Sequence, residues 1–466
     1  MIHQKFFGDQ AEKVTPENLG EALQQAIEIE ISTIPTYLFT YYSIVRSPSQ
    51  QNMINSLTNA LLKIDKEPRY TFDEASEIAL NFSADIMVFA NRTGALIMSV
   101  AIEEMLHMAL SSNLKQALSG MPILYGRSPA VWPADLPGHK PALKINTAKL
   151  SLKQLETFLN IEKPMKPKVT NLKARRAFIP YPTIGDFYQM VIDCLDKNPN
   201  IPYNTHSPQL VPGKGYYAQN NIDTIYYDKQ HNPVFTNQDD SGDLICVADK
   251  KSALAAINLI VEQGEGQLVK DAPYLDKDNN LDFAALLQYD FTPKEGEEAS
   301  HFEKFAMIYQ TYYEMGKKFE ALDIKDITFD NLFITDIASN PATADYPANI
   351  APVSDLINGV YTYIFVMIEE CYRKSGSTQY ETFMFGIHKS MIFILNSLCG
   401  DIMKLKYHKE GYGECYASPT FENYTFSPLA RPKAQLQDLY SAAVSVYPAI
   451  SYLGNRVDDL PDVDLK

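Results

Sequence analysis

The stretch Ile97-Met-Ser-Val-Ala-Ile-Glu103-Glu104-Met-Leu-His107-Met108 decides how this chain folds. Ile97, Met98, Val100, Ala101, Met105 and Met108 recur at three- and four-residue steps, the period of a helix with an apolar stripe. Glu104 and His107 stand three residues apart on that helix. At about 100° per residue they project roughly 60° apart on one face, so a carboxylate and an imidazole can grip the same ion. The spacing returns at Glu298-Ala-Ser-His301, which is followed by the apolar Phe302 and Phe305. An isolated pair of this kind is more often a surface hydrogen bond than a ligand pair, and Glu103, four residues before His107, offers an alternative partner. Two such pairs in a chain with only eight histidines, each beside an apolar stripe, point instead to a metal site.

A bundle that holds two metal ions needs a single Glu from each of two further helices. The first helix offers Glu28 and Glu30, which lie about 200° apart, so only one can face the core. Glu30 shares a face with Leu23, Ile27, Ile34 and Tyr37 and is the inward residue; Glu28 is expected to face solvent. Pro35, one turn later, removes the hydrogen bond to the Ile31 carbonyl and should kink the helix. The other helix ends in Ile260-Val-Glu262-Gln-Gly-Glu265-Gly266. Glu262 has helical context and is the expected ligand, with Glu265, between two glycines, as its alternative. The expected set is Glu30, Glu104, His107, Glu262, Glu298 and His301. Four carboxylates neutralise two divalent ions, and oxygen-rich ligation with one imidazole per ion suits iron or manganese better than zinc or copper. Burying four Glu with no cation would be very costly.

Around these motifs the chain reads as mainly α. Helices are expected from about Thr15 to Val45, Asp85 to Leu118, Asp249 to Gly264 and Lys294 to Leu322. Thr15-Pro-Glu-Asn18 gives a start signal, and Ser119-Gly-Met-Pro122 a stop. The first bundle half would occupy residues 1–122 and the second 249–335. Between them, residues 123–248 form a long mixed α/β insertion, with one helix (Ile184 to Leu195) and strand-like runs at Thr224-Ile-Tyr-Tyr, Pro233-Val-Phe-Thr and Asp243-Leu-Ile-Cys-Val. An insertion of this size usually lids a site. Residues 336–466 form a C-terminal helical extension (Asp355 to Arg373, Glu381 to Leu405, Lys433 to Tyr447), with an acidic, frayed tail beyond Asn455.

Bulk properties narrow the partners. A net charge of −16 excludes the basic face that phosphate neutralisation requires, so no nucleic acid is expected. The basic run from Lys166 to Arg176 reads as a solvated loop. Five cysteines, an odd number with no CxxC spacing, indicate neither a disulfide framework nor a zinc knuckle and fit a reducing cytoplasm. No signal peptide and no uninterrupted apolar run of membrane-spanning length is present, so a soluble protein is expected. His388, on a very apolar segment, reads as a satisfied core histidine, and haem is possible but not indicated. Asp228-Lys-Gln-His231 precedes Asn232-Pro233 and reads as a surface turn. The Gly-x-Gly pairs at Gly213 and Gly264 are too short for phosphate loops.

The segments Ala26-Ile-Glu-Ile-Glu30-Ile-Ser-Thr-Ile-Pro35-Thr-Tyr-Leu38, Glu103-Glu104-Met-Leu-His107-Met108, Ile260 to Gly266 and Ser300-His-Phe-Glu-Lys-Phe305 together resemble the ferritin-like domain of iminophenylpyruvate dimer synthases. Thr183-Ile-Gly-Asp-Phe-Tyr188 and Ser418-Pro-Thr-Phe-Glu422 are similar too. Those bacterial enzymes of violacein and indolocarbazole biosynthesis couple two tryptophan-derived imino acids oxidatively. The resemblance implies a ferritin-like four-helix bundle and supports Glu30, Glu104, His107, Glu262, Glu298 and His301 as metal ligands. The synthases are longer and haem-associated, so a related reaction on another amino-acid-derived molecule is expected. The leading expectation is thus a cytoplasmic non-haem di-iron oxidase or oxygenase, taking a small organic substrate and dioxygen, in a chain that could pair as a homodimer. An iron-handling protein of ferroxidase type and a purely structural bundle are its rivals.

Overall fold

Helix α1 (Leu19–Ser43) is buried on nearly every face: Leu23, Ile27, Ile31 and Ile34 on one side, Ile29 and Leu38 on others. A helix apolar all round belongs at the centre of a fold, and α1 lies there, packed along the 47-residue α3 (Phe72–Leu118). The molecule is a computed structural model describing residues 6, 12–46, 48–63, 69–136, 142–164, 184–214, 216, 244–264, 272–293 and 299–465. Pro35 sits inside α1, and the helix continues through it to Ser43.

Helix α2 (Gln50–Leu61) packs back on α3. The start of α3 precedes the expected one because Thr71 and Glu74 form a reciprocal capping box. Its first turns bury Ala75, Ala79, Phe82 and Ile86 at helical steps, while Phe72 and Leu80 are exposed. Next come a short antiparallel hairpin of β1 (Ala134–Leu136) and β2 (Leu143–Ile145), then α4 (Leu152–Ile161) and α5 (Ile184–Lys197). Helix α6 (Lys250–Gln263) begins at an Asp249–Ser252 capping box and ends at Gly264. The single turn α7 (Phe283–Leu286) leads to α8 (His301–Ala321). Helices α6 and α8 both pack on α3, completing a four-helix bundle of α1, α3, α6 and α8, while α4 packs on α8 and α5 touches α1 and α6.

The C-terminal extension comprises α9 (Ala351–Cys371), α10 (Gly376–Glu381), a π-helical stretch over Thr382–Leu395, α11 (Asn396–Ile402), a hairpin of β3 (Lys406–Lys409) and β4 (Gly413–Tyr416), α12 (Pro432–Val446) and the short α13 (Gly454–Asp458). It is fastened to the bundle by buried polar contacts. The Glu369 carboxylate accepts from the Leu124 and Tyr125 backbone N–H groups, both at 2.8 Å, and Gln116 donates to the Tyr372 carbonyl at 2.9 Å.

Several expectations are corrected. The strand-like run Leu244–Val247 forms no strand; Gln209 pairs with both the N–H and the carbonyl of Val247 at 2.8 Å, and Asn113 donates to the Ile245 carbonyl. Side-chain amides there take the place of a neighbouring strand. The runs at Thr224 and Pro233, the basic cluster Lys166 to Arg176 and Asp228–His231 lie outside the described residues. The acidic tail is not frayed: Leu460 and Val463 are buried, and Tyr363 donates to the Pro461 carbonyl at 2.6 Å. Among the described residues, three helices, within Phe72–Leu118, Ala351–Cys371 and Gly376–Ile402, are long and apolar enough to cross a membrane by length and composition. Looking for uninterrupted apolar runs overlooks them, because scattered Ser, Thr and Gly leave the mean hydropathy high. In the first two, 61% and 83% of the apolar window is buried within the protein; in the third it is 44%, with Phe385, Ile392 and Phe393 exposed.

Candidate metal centre

Glu30 on α1 and Glu104 on α3 point into the bundle beside each other, 2% and 1% exposed. Because α1 and α3 pack along their lengths, the mid-helix positions meet. Thr33, one turn on from Glu30, donates to Glu104 Oε2 at 2.9 Å, and Tyr188 of α5 donates to Glu30 Oε1 at 2.6 Å. His107 lies one turn beyond Glu104, its Nδ1 3.9 Å from Glu30 Oε2. Its other nitrogen, Nε2, is 3.2 Å from the Gln263 side-chain oxygen at the end of α6. Gly264 follows directly: a Cβ there would stand 3.1 Å from His107 Cε1, so the chain crosses the imidazole edge at its closest approach.

His301 is the first residue of α8, whose start is set by the capping box of Ser300 and Glu303. Its ring stacks near that of His107, with centroids 5.2 Å apart and 26° between planes. Nδ1 is 2.9 Å from Glu104 Oε1 and 3.4 Å from Glu162 Oε2, and Nε2 is 2.7 Å from Glu103 Oε2. Glu103 in turn meets the buried ammonium of Lys304, which also donates to Ser99 at 3.1 Å.

The electrostatics follow from burial among like and unlike charges. Burial raises Glu30 well above the usual carboxylate range, and neighbouring Glu104 adds to this. Glu162 is likewise raised by burial, against the opposing charge of His301. For Glu103 burial acts upward, but Lys304 and His301 outweigh it and hold the carboxyl at about 2. Glu104 is lowered by His301 despite its burial. His301 is desolvated, yet Glu162, Glu103 and Glu104 carry it well above its ordinary value. Burial takes His107 the other way, to about 4. Glu103 and Glu104 are thus favoured as carboxylates beside the His301 ring and the Lys304 ammonium, while burial makes Glu30 and Glu162 easier to protonate, a tendency that a bound cation would oppose.

The donors fit a metal ion. Glu104 Oε1, Glu162 Oε2 and both ring nitrogens of His301 are buried with no aligned hydrogen bond, although the two oxygens lie 2.9 and 3.4 Å from His301 Nδ1 and Nε2 lies 2.7 Å from Glu103. Two carboxylate oxygens that converge on one ring nitrogen at these distances are spaced as ligands of a single ion would be. Donors at right angles on a divalent ion, with bonds of about 2.1 Å, stand about 3 Å apart. Donor atoms of Glu104, His107 and His301 lie within 4.8 Å of one another.

Of the six expected ligands, the structure thus brings together Glu30, Glu104, His107 and His301. Glu262 is not with them: it is exposed on α6, and its neighbour Gln263 turns toward the site. Glu298 and Glu265 lie outside the described residues, and α8 starts at His301. Glu28 faces away from the cluster, as its phase requires, but not into solvent. It is 6% exposed and 3.3 Å from Arg127, because the chain after α3 crosses that face and Gln24 bonds to Ile123. The residue that sequence reasoning missed is Glu162, which ends α4 inside the insertion. No paired motif or clear periodicity flags it. His388 is satisfied, its Nε2 2.7 Å from the Tyr216 carbonyl.

Helices that gather buried carboxylates and two imidazoles around one point define a carboxylate–histidine bundle protein with a possible metal site. The chain belongs to the Ferritin-like family, whose model matches residues 23–310. A ferritin-like protein from Caulobacter vibrioides is a structural relative, with a TM-score of 0.41 and 16% identity, over 82% of this chain and 96% of that one. Among curated proteins none matches this sequence.

Proposed function

We propose that this protein is a non-haem di-iron oxidase or oxygenase acting on a small amino-acid-derived substrate. One observation carries the proposal: Glu104 Oε1, Glu162 Oε2 and His301 Nδ1, from α3, the end of α4 and α8, are buried against each other with no aligned hydrogen bond, and Glu30 of α1 and His107 stand beside them. Glu30, Glu104, His107 and His301 would hold the ions, with manganese as the other metal this donor set suits. Bound there, two ferrous ions supply electrons for the reduction of dioxygen.

The chain's own groups prepare the site. Tyr188 and Thr33 fix the carboxylates of Glu30 and Glu104 by hydrogen bonds, and support of this kind orients a ligand before it binds. Gln263 and Glu103 occupy the outer nitrogens of the two imidazoles, leaving each Nδ1 turned to the centre. Lys304 neutralises Glu103, so this carboxylate need not be shared with an ion. On one flank Tyr37, Phe158 and Phe305 pack ring to ring, with centroids 4.8–5.2 Å apart, and exclude water. A dry wall strengthens every charge interaction behind it.

The insertion and the C-terminal extension, which a bundle serving only to store iron does not need, favour an organic substrate. The resemblance to the dimer synthases favours an amino or imino acid. Oxygen consumption by iron-loaded protein tests this. Uptake that rises at least tenfold on adding an aromatic amino or imino acid supports the proposal. Uptake that follows ferrous iron alone, whatever organic compound is present, supports the iron-handling alternative.

A further inference from the structure

We infer that Glu162, supplied by the insertion rather than by the four bundle helices, is a metal ligand, so that the centre is built from three carboxylates and two imidazoles. This rests on the metal reading of the site above and adds a residue to it.

Glu162 occupies a position that costs a carboxylate dearly. It is the C-cap of α4, 0% exposed, where the partial negative charge of the helix end opposes another anion. Helix α4 is pinned there by its own apolar face: Leu155, Phe158, Leu159 and Ile161 are buried, and Ser151 caps its start. The helix therefore cannot rotate to release the side chain to water. Oε1 receives the hydroxyl of Tyr37. Oε2 makes no hydrogen bond and faces His301 Nδ1 at 3.4 Å.

A glutamine would accept the Tyr37 bond equally well and carry no charge penalty. What an amide lacks is an anionic oxygen for the space beside His301. That oxygen converges with Glu104 Oε1 on the same ring nitrogen. His107 lies on the other side of the cluster, next to Glu30. The arrangement divides into His301 with Glu162 and His107 with Glu30, with Glu104 between them. In this division Glu162 stands where the bundle pattern would place a Glu of α6, whose Glu262 is exposed. The insertion is then part of the metal site itself and more than a lid over it.

Anaerobic titration of the full-length protein with ferrous iron tests the inference. Wild type is expected to take up about two equivalents. Glu162→Gln is expected to take up one, and Glu28→Gln, which removes a buried carboxylate away from the cluster, still two. Glu162→Gln binding two equivalents with affinities within threefold of wild type would overturn the role of Glu162 and leave the metal reading standing. Wild type that binds no iron overturns that reading and this inference with it. Should Glu162→Gln not fold, anomalous scattering from wild-type crystals soaked in manganese decides. A peak within about 2.5 Å of the Glu162 carboxylate supports the inference, and peaks confined to the other ligands overturn it.

Discussion

Lys304 is 2% exposed, and its ammonium is the counter-charge of Glu103. Removing one member of a buried pair leaves an unpaired charge and costs about 3–5 kcal/mol. Lys304→Met should therefore lower the unfolding free energy by that amount in urea titrations, and a loss below about 1 kcal/mol would contradict the pairing. His107 makes a pH-dependent prediction. Its folded value is about 4, below the ordinary value near 6.5, so between these limits the unfolded chain binds a proton that the folded chain refuses. Its contribution is full above pH 6.5 and is lost as the pH falls toward 4. Glu103, held at about 2, contributes above the ordinary carboxylate value and loses that contribution on further acidification. His301 has the opposite sign, stabilising below 6.5 and losing this as the pH rises through its elevated value. Comparing chelator-treated wild type with His107→Gln isolates one ring. The stability difference should shrink by about 3 kcal/mol from pH 6.5 to 4, and a difference independent of pH would contradict the burial of a neutral imidazole.

At the scale of elements, helix phase was the most legible property of the sequence. It separates Glu30 from Glu28 because α1 is regular across both residues. It could not say what covers the other face of α1, since that depends on a loop from after α3 that carries Arg127. Phase fails at helix ends. Helix α6 stops at Gln263, so helical context alone favoured Glu262, while the residue that reaches His107 is the next one. At α8 the Ser300–Glu303 capping box, not the apolar stripe, sets the start. Glu162 was illegible for a different reason. A lone acidic residue after a short helix carries no pattern, and only tertiary packing of α4 on α8 brings it to His301. The tight crossing of α6 past the site gives a test at this scale. In Gly264→Ala the new Cβ would lie 3.1 Å from both His107 Cε1 and the Ile260 carbonyl. Overpacking of this kind costs about 1–3 kcal/mol, and the displaced ring should weaken metal uptake as well. Unchanged stability together with unchanged metal content would show that α6 does not press on His107.

For the whole molecule, one hydrophobic core runs from α1 and α3 through α4 and α5 to α9 and the C-terminal tail. The bundle alone does not enclose the candidate centre: α4 and α5, both in the insertion, bring Glu162 and Tyr188 to it. Composition and helical periodicity showed the mainly helical character and the bundle, because apolar stripes are local signals. How the insertion folds around the site was not visible, because it depends on contacts between residues more than a hundred positions apart, such as Glu30 and Tyr188. The central claim is that these buried donors hold metal. Elemental analysis of untagged protein purified aerobically tests it most directly. About two irons per chain are expected, falling to fewer than one in Glu104→Ala, whereas a well-folded wild-type protein containing neither iron nor manganese would contradict the claim.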